Sequence, residues 1–222
     1  MPGPIDIITF DCYGTLIDWE TGIITAFQSE AARDGVELQP DRIIEAYSTQ
    51  EPLVEKPPYR SYRVVLAETA VRAANTLGWK IDVNRAAFLA TSLPHWKPFP
   101  DTNPALERLA RHYKLGILSN IDDDLLSATR RHFLTPFDLV ITAQQVKSYK
   151  PSTAHFNEVI VRAGGRNLWH AAQSYFHDVV PATSLGIPVV WVNRKGQVVE
   201  PGGPVPTYEV SDLSELANFL GV

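Results

Sequence analysis

The pattern of hydrophobic positions changes character along the chain. Ile5–Phe10 is a short apolar run rich in β-branched residues, with Pro4 before it and Gly14 after it, which predicts a buried parallel strand. Between about Thr21 and Leu93 the apolar residues instead recur at helical spacing, and no strand pattern interrupts them. This stretch predicts an all-helical insert.

Beyond Pro100 helical and strand patterns alternate. The strand patterns are LGILSN, DLVIT, a short run near Ala171–Gln173, and IPVVWVN. Strands that alternate with helices of this length are typical of a Rossmann-like α/β fold with a doubly wound parallel sheet. We therefore assign residues 1–15 and 97–222 to a discontinuous α/β core domain, and residues 16–96 to an inserted helical cap domain.

Composition and charge narrow the function classes. An apolar share of 45% with 20% charged residues is typical of a folded chain, and no apolar run reaches the roughly 20 residues needed to cross a bilayer. MPGPIDIITF carries no basic segment or cleavage site, and the single cysteine, Cys12, excludes an internal disulfide and a cysteine-clustered metal site. We expect a cytoplasmic protein without a membrane partner.

The net charge of −5 offers no basic field for a polyanion. Nucleic acid is therefore not an expected partner. A small anionic substrate would have to be captured by a local group. The helical faces of the insert could pair two copies as a homodimer, although no sequence feature requires it.

Polar side chains follow the predicted core strands. Asp11 ends the first strand, Ser119 and Asn120 end the second, Lys150 follows the third, and residues 173–178 follow the fourth. Ligands of doubly wound sheets bind beyond the carboxyl ends of the strands, so these groups should converge, with the Lys150 ammonium near Asp11. An aspartate in a loop is commonly a turn residue, but four such strand ends in order indicate a reaction site.

These residues resemble the four motifs of the haloacid dehalogenase superfamily. The matching segments are Asp11-Cys12-Tyr13-Gly14-Thr15, Ser119-Asn120, Lys150-Pro151 and the acidic loop ending in Asp178. The resemblance covers essentially the whole chain and is greatest to the type II (L-)2-haloacid dehalogenases. Their helical cap is similar to Thr21–Leu93, and their strand after the acidic loop is similar to Trp191–Arg194.

The resemblance implies a role for each motif residue. Asp11 would attack the substrate and form an enzyme ester, while Lys150 would hold the charge and geometry of that nucleophile. Asp178 would pair with Lys150 or activate water. Thr15, Ser119 and Asn120 would bind and orient the substrate.

Two residues separate this sequence from the phosphatases of the superfamily. A phosphomonoester needs a proton donor for its leaving alkoxide, which the phosphatases supply from a second Asp two residues after the nucleophile, whereas this chain has Tyr13. Their Mg²⁺ is held by carboxylates at both ends of the acidic loop, whereas this loop begins with Gln173 and keeps only Asp178. A halide leaves without protonation, so neither loss prevents carbon–halogen displacement.

The sequence thus predicts a hydrolase of carbon–halide bonds that uses no metal and no other cofactor. Asp11 would displace halide from the α-carbon of a short 2-haloalkanoic acid with inversion, and water would then release a 2-hydroxy acid. Two alternatives stay open. One is a phosphatase with an altered metal shell that acts on a small phosphorylated metabolite. The other is a protein that binds a ligand or partner without turnover.

Substrate-binding candidates are less well defined. Tyr13, Trp19, Tyr47 and Phe176 would make an apolar pocket suited to a small haloalkanoate, and Gln173 and His177 would line the cleft. The family's cap arginine falls here on Tyr47 or Ser48, and a tyrosine that some members use appears as Phe156. Arg60 and Arg63 could replace the missing arginine, although a solvated cap face is the simpler interpretation.

The remaining reactive side chains have structural interpretations. Cys12 is expected to pack in the core, His155 to lie on a helix face, and His170 to lie at a strand edge. Ser174, His177 and Asp178 have the composition of a hydrolytic triad but crowd one short loop, so we do not expect triad geometry.

Overall fold

The computed structural model describes residues 4–199 and 202–222 and divides into two units. The first unit comprises the residues up to Ile17, Pro98–Asn120 and the residues from Arg131 onward. The second comprises Asp18–Lys97 and Ile121–Arg130.

A parallel sheet organises the first unit. Its strand order among the described residues is β3-β2-β1-β4-β5-β6. The strands are β1 (Ile7–Phe10), β2 (Lys114–Ser119), β3 (Leu139–Thr142), β4 (Leu168–Ala172), β5 (Val189–Val192) and β6 (Tyr208–Val210). All neighbouring pairs are parallel, so the predicted Rossmann-like α/β core is confirmed.

The position of β1 explains the position of Asp11. All four residues of this strand are buried, as its β-branched apolar run predicts, and it pairs with β2 on one side and β4 on the other. The residue that follows it therefore emerges at the middle of the carboxyl edge of the sheet. Gly14, with a φ of 102°, permits the tight turn directly after it.

Helices flank the strands of the first unit. They are α5 (Thr102–Leu109), α7 (Ala143–Val146), α8 (Ala154–Ala163), a π-helical turn (Tyr175–Val179), α9 (Val180–Ser184) and α10 (Leu213–Phe219). A buried cluster between sheet and helices includes Leu118, Ile141, Phe156, Val159 and Trp191. This packing fixes the strand ends from which the polar side chains project.

The second unit contains helices and, within Asp18–Lys97, no strand. Its helices are α1 (Trp19–Ala32), α2 (Pro40–Val54), α3 (Tyr62–Thr76), α4 (Phe88–Ser92) and, after Asn120, α6 (Asp123–Thr129). Short 3₁₀ turns are found at Arg85–Ala87 and Leu93–His95, and a third, Arg130–His132, begins at the last residue of this unit. Asp18 caps α1 by accepting the backbone N–H of Thr21, and Pro40 begins α2, both as helix starts require.

Residues 121–130 differ from the sequence-based assignment, which placed them in the core. They group with the helical unit, where the buried Asp122 carboxylate accepts the backbone N–H groups of Tyr62 and Arg63, at 2.9 and 3.0 Å. This carboxylate caps the start of α3, whose own Ser61 makes no side-chain cap. A helix cap that comes from a distant segment cannot be predicted from the local sequence pattern.

No helix within residues 4–199 and 202–222 combines the length and the apolar character of a membrane span.

Candidate active site

Both carboxylate oxygens of Asp11 are held in place. Oδ1 accepts a hydrogen bond from Lys150 Nζ at 2.8 Å, and Oδ2 accepts one from the Thr15 hydroxyl at 3.1 Å. The Thr15 hydroxyl in turn accepts the backbone N–H of Gln173 at 2.9 Å. Asp11 is 7% exposed. These contacts restrict the carboxylate to a narrow range of orientations toward a bound ligand.

The Lys150 ammonium joins two carboxylates. Its Nζ donates to Asp11 Oδ1, to Asp178 Oδ1 at 2.6 Å and to the Leu118 carbonyl at 3.0 Å. An ammonium has three donors, so this group is fully satisfied although it is 1% exposed. The predicted proximity of Lys150 to Asp11 is confirmed.

The Asn120 side chain binds the backbone of Lys150. Its Oδ1 accepts the backbone N–H of Lys150 at 2.7 Å, and its Nδ2 donates to the Lys150 carbonyl at 3.0 Å. The oxygen and the nitrogen of this side-chain amide therefore both bind the backbone of Lys150. This side chain thus fixes the segment that carries the ammonium. An amide has a second N–H and a second acceptor site, so the substrate-binding role of Asn120 stays a prediction.

Two buried carboxylates compete for one ammonium. Burial opposes the ionised form of Asp178, but Lys150 and the His170 N–H outweigh it and lower the pKa of Asp178 to about 2. Burial raises the pKa of Asp11 above its ordinary value; Lys150 opposes that rise and the Asp178 charge adds to it. Burial also opposes the charged form of Lys150, yet Asp11 and Asp178 together raise its pKa. The ammonium therefore stays charged.

Of the two roles predicted for Asp178, this geometry matches pairing with Lys150. Its side chain is fully buried, and Oδ1 contacts both Lys150 and His170. A carboxylate with a pKa near 2 is a weak base. Ser119 differs from these residues, because its buried Oγ makes no hydrogen bond within the described residues. That hydroxyl has a donor to offer a bound ligand.

Two histidines in this region have roles that sequence reasoning missed. His170 was predicted at a strand edge, but it lies on the interior strand β4, fully buried, with Nε2 2.9 Å from Asp178 Oδ1. His155 does lie on helix α8, where it is buried with Nε2 3.2 Å from the Ser119 carbonyl. Burial lowers the pKa of His155 to about 3, so this ring is neutral. A histidine inside an otherwise apolar strand was the available signal for His170.

The acidic loop forms the π-helical turn. Ser174 caps it by accepting the backbone N–H of His177, and the Ser174 Oγ lies 3.1 Å from His177 Nδ1. Asp178 contacts Lys150 and His170 instead, so the absence of triad geometry is confirmed. Phe176 is 60% exposed and lies with its ring 5.1 Å from that of His177.

The predicted aromatic residues of the helical unit lie together. The Trp19 and Tyr47 rings are 5.8 Å apart, and Tyr47 is almost fully buried. The Tyr47 hydroxyl donates to Glu51 Oε1 at 2.6 Å, and the Tyr62 hydroxyl donates to the same oxygen at 2.5 Å. Burial raises the pKa of Glu51. Tyr13 belongs to the first unit, where its backbone bridges to Ile17, so the predicted pocket of Tyr13, Phe176, Trp19 and Tyr47 draws on both units and stays a prediction.

Arg60 and Arg63 have carboxylate partners within the helical unit. Arg60 pairs with Glu68 at 2.5 Å and donates to the Val54 carbonyl at 2.7 Å. Arg63 pairs with Asp124 at 2.5 Å. Each guanidinium group thus has a carboxylate partner, but both pairs are partly exposed and such pairs are weak. The role of Arg60 and Arg63 as substrate binders stays a prediction.

Within residues 4–199 and 202–222, no three His, Cys, Asp or Glu side chains gather in a group that could hold a metal ion. Gln173 stands at the start of the acidic loop, where its backbone N–H contacts Thr15 and its carbonyl accepts from the Trp191 ring N–H.

Known proteins are similar to this chain in sequence. A model of the haloacid dehalogenase-like hydrolase family matches residues 5–172. The (S)-2-haloacid dehalogenase H-109 of Pseudomonas putida is 30% identical over 226 residues, which cover 98% of each chain. A glyceraldehyde 3-phosphate phosphatase of Methanothermobacter thermautotrophicus is 28% identical over 137 residues, which cover 56% of this chain and 59% of the phosphatase.

The fold has a close counterpart among solved structures. The L-2-haloacid dehalogenase from Xanthobacter autotrophicus, with chloropropionic acid covalently bound, matches with a TM-score of 0.85 at 22% identity, over 98% of this chain and 99% of that one. This likeness establishes the fold, and the family model spans three quarters of the sequence. The chain belongs to the haloacid dehalogenase-like hydrolase family.

Proposed function

We propose that this protein is a hydrolytic dehalogenase of short 2-haloalkanoic acids, acting through an ester on Asp11. One observation carries the proposal: a buried carboxylate at the central strand end is fixed through both oxygens by Lys150 and Thr15. A carboxylate so held is a positioned nucleophile. Similarity to (S)-2-haloacid dehalogenases over nearly the full length supports the choice of substrate class.

In the first step a carboxylate oxygen of Asp11 attacks the α-carbon from the side opposite the halogen. The new carbon–oxygen bond forms as the carbon–halogen bond breaks, and the halide departs with the bonding electrons, which inverts the carbon. Lys150 keeps Asp11 ionised and oriented for this attack. No proton donor is needed, which agrees with Tyr13 at the position where phosphatases have an acid.

In the second step water attacks the carbonyl carbon of the Asp11 ester. The bond between the carbonyl carbon and the substrate oxygen breaks, and that oxygen takes one proton of the water and leaves as the hydroxyl group of the 2-hydroxy acid. The other proton passes to solvent as the carboxylate of Asp11 is regenerated. The Lys150 ammonium, 2.8 Å from Oδ1, can stabilise the negative charge that develops on the carbonyl oxygen. Asp178 contributes through Lys150, because its Oδ1 contacts that ammonium and His170.

A phosphatase is the second candidate function, because one relative carries that name. Tyr13 and Gln173 weigh against it, since they stand where a general acid and a carboxylate ligand would be needed. A protein that binds without turnover is the third candidate, since both cap arginines have other partners.

A substrate panel separates the three candidates. Halide release is measured with fluoroacetate, chloroacetate and both enantiomers of 2-chloropropionate, beside phosphate release from an aryl phosphate, each with and without EDTA. Halide release that EDTA does not change supports the proposal. EDTA-sensitive phosphate release without halide release would establish the phosphatase. If neither halide nor phosphate is released, the protein that binds without turnover is favoured.

The decrease of kcat/KM at low pH should follow the protonation of Asp11. The ionised carboxylate is the nucleophile, and burial together with the Asp178 charge raises its pKa. The kcat/KM for 2-chloropropionate should therefore fall as the pH decreases, with a midpoint above the ordinary value of 3.8. Rates measured from about pH 3.5 to 8 test this, and a profile that stays flat down to pH 3.8 would contradict it.

Asn120→Ala should lower kcat by about 10²-fold and leave KM nearly unchanged, because the side chain positions Lys150. Steady-state kinetics on 2-chloropropionate provide both constants. Asn157→Ala is the matched control, since Asn157 is an exposed amide on α8. A large rise in KM with unchanged kcat would instead support the predicted role of Asn120 in substrate binding.

A further inference from the structure

We propose that His170 is a positioning residue that holds the Asp178 carboxylate against Lys150 and thereby sets how much of that ammonium is available to Asp11. The inference rests on the proposed function for its kinetic effect. It goes beyond the motif residues, because His170 lies inside strand β4 and belongs to none of the four motifs.

The contacts form one buried chain from strand to nucleophile. His170 Nε2 lies 2.9 Å from Asp178 Oδ1, which lies 2.6 Å from Lys150 Nζ, which lies 2.8 Å from Asp11 Oδ1. His170, Asp178 and Lys150 are each at most 1% exposed. Because an ionised carboxylate only accepts hydrogen bonds, Nε2 must carry the proton and donate it to Asp178.

The opposite side of the ring is anchored on the neighbouring strand. His170 is the register partner of Thr9 on β1, and His170 Nδ1 lies 3.0 Å from the Thr9 Oγ1. That Oγ1 also lies 3.2 Å from the Trp169 carbonyl. Whichever of these two groups receives the single hydroxyl proton, Nε2 still donates to Asp178. The proposed role therefore depends on the Nε2–H donor and not on the partner of the Thr9 hydroxyl proton.

Apolar packing fixes the plane of the ring. Phe156 meets His170 edge to face, with ring centroids 5.2 Å apart and an interplanar angle of 88°. Phe156 is fully buried in the core cluster of α8 and the sheet. The hydrogen bond at Nε2, the contact of Nδ1 with Thr9 and the T-shaped contact with Phe156 together restrict the ring to one orientation.

The charges around the ring explain the expected effect. The titratable groups near it are Asp178 on the π-helical turn, Lys150 after α7, Asp11 after β1 and the neutral His155 on α8. Burial and Lys150 have the larger effects on the pKa of both carboxyl groups, and the Asp178 charge raises the pKa of Asp11 further; beside these effects His170 lowers the pKa of both Asp178 and Asp11. Without His170 both carboxyl groups bind protons more readily, so the first proton taken up by the pair should bind at higher pH.

Two substitutions separate hydrogen bonding from packing. His170→Phe keeps a ring but has no donor, whereas His170→Gln places an amide N–H near the position of Nε2. On 2-chloropropionate His170→Phe should lower kcat by about 10- to 100-fold and move the acid limb of kcat/KM to higher pH. His170→Gln should restore kcat to within about 3-fold of wild type and bring the acid limb of kcat/KM back to its wild-type pH.

A wild-type acid limb in His170→Phe would overturn the proposal, as would a His170→Gln variant as impaired as His170→Phe in both readouts. If His170→Phe does not fold, Thr9→Val removes the partner of Nδ1 and should shift the limb in the same direction by less. An unshifted limb in Thr9→Val would then count against the proposal.

One measurement does not depend on turnover. Carbon-13 NMR of the Asp11 and Asp178 carboxyl carbons should show the first proton uptake at higher pH in His170→Phe than in wild type. If the wild-type protein releases no halide, the proposed function fails while this titration still decides the role of His170. Identical titrations in the two proteins would reject that role.

Discussion

Asp11→Asn is expected to reduce halide release from 2-chloropropionate by on the order of 10⁴- to 10⁶-fold, the range seen when an enzyme loses its nucleophile. The neutral amide cannot displace a halide, but it has the size of the carboxylate and can still accept from Lys150 and contact Thr15. The fold should therefore survive. Initial rates of halide release measure the effect, and circular dichroism and urea unfolding check the fold.

Asparagine at this position can hydrolyse back to aspartate, so Asp11→Ala is measured in parallel. Mass spectrometry of the peptide that contains residue 11 detects any recovered aspartate in the asparagine variant. Asp6→Asn is the matched control, because Asp6 is an exposed carboxylate just before the other end of β1. Wild-type rates in Asp11→Ala would rule out Asp11 as the nucleophile.

Lys150→Met should lower the free energy of unfolding by about 3–5 kcal/mol at neutral pH and eliminate turnover. The ammonium is the shared partner of two buried carboxylates, and its loss leaves Asp11 and Asp178 facing each other without a cation. The carboxyl pKa values would then be raised above their unfolded values. The deficit should therefore shrink as the pH falls through those raised values, because folding then takes up protons. Urea unfolding at several pH values measures both effects.

Two variants separate charge from packing at this position. Lys150→Met combined with Asp178→Asn removes one of the two stranded charges and should recover part of the lost stability. Lys114→Met, at an exposed lysine of β2, should change stability by no more than about 0.5 kcal/mol. A Lys150→Met protein as stable as wild type would show that the buried ammonium does not hold this site together.

The sheet and the motif residues could be predicted from sequence because their signals are local. The apolar runs around Ile8 and Ile117 identify strands by themselves, and a parallel sheet brings the residues after such strands to one edge. Asp11 and Lys150 were found in this way. The three-residue strand Tyr208–Val210 was missed, because so short an edge strand has no period to recognise.

The roles that sequence did not reveal depend on contacts between distant segments. His170 acquires its partner from a turn whose path the strand pattern does not specify, and Asn120 is occupied by the backbone of Lys150, thirty positions away. Arg60 and Arg63 could be recognised as cations of the helical unit, but their pairing with Glu68 and Asp124 could not be predicted. Side-chain pairing of this kind follows from tertiary packing, and it cannot be predicted from the spacing of residues in the sequence.

The path of the oxygen atoms tests the ester on Asp11 most directly. In a single turnover with enzyme in excess and water labelled with oxygen-18, the account predicts an unlabelled 2-hydroxy acid and a label in the peptide containing Asp11, because the product receives an oxygen of the carboxylate. Label in the product of that first turnover, with the Asp11 peptide unlabelled, would mean that water attacks the carbon directly and would contradict the account.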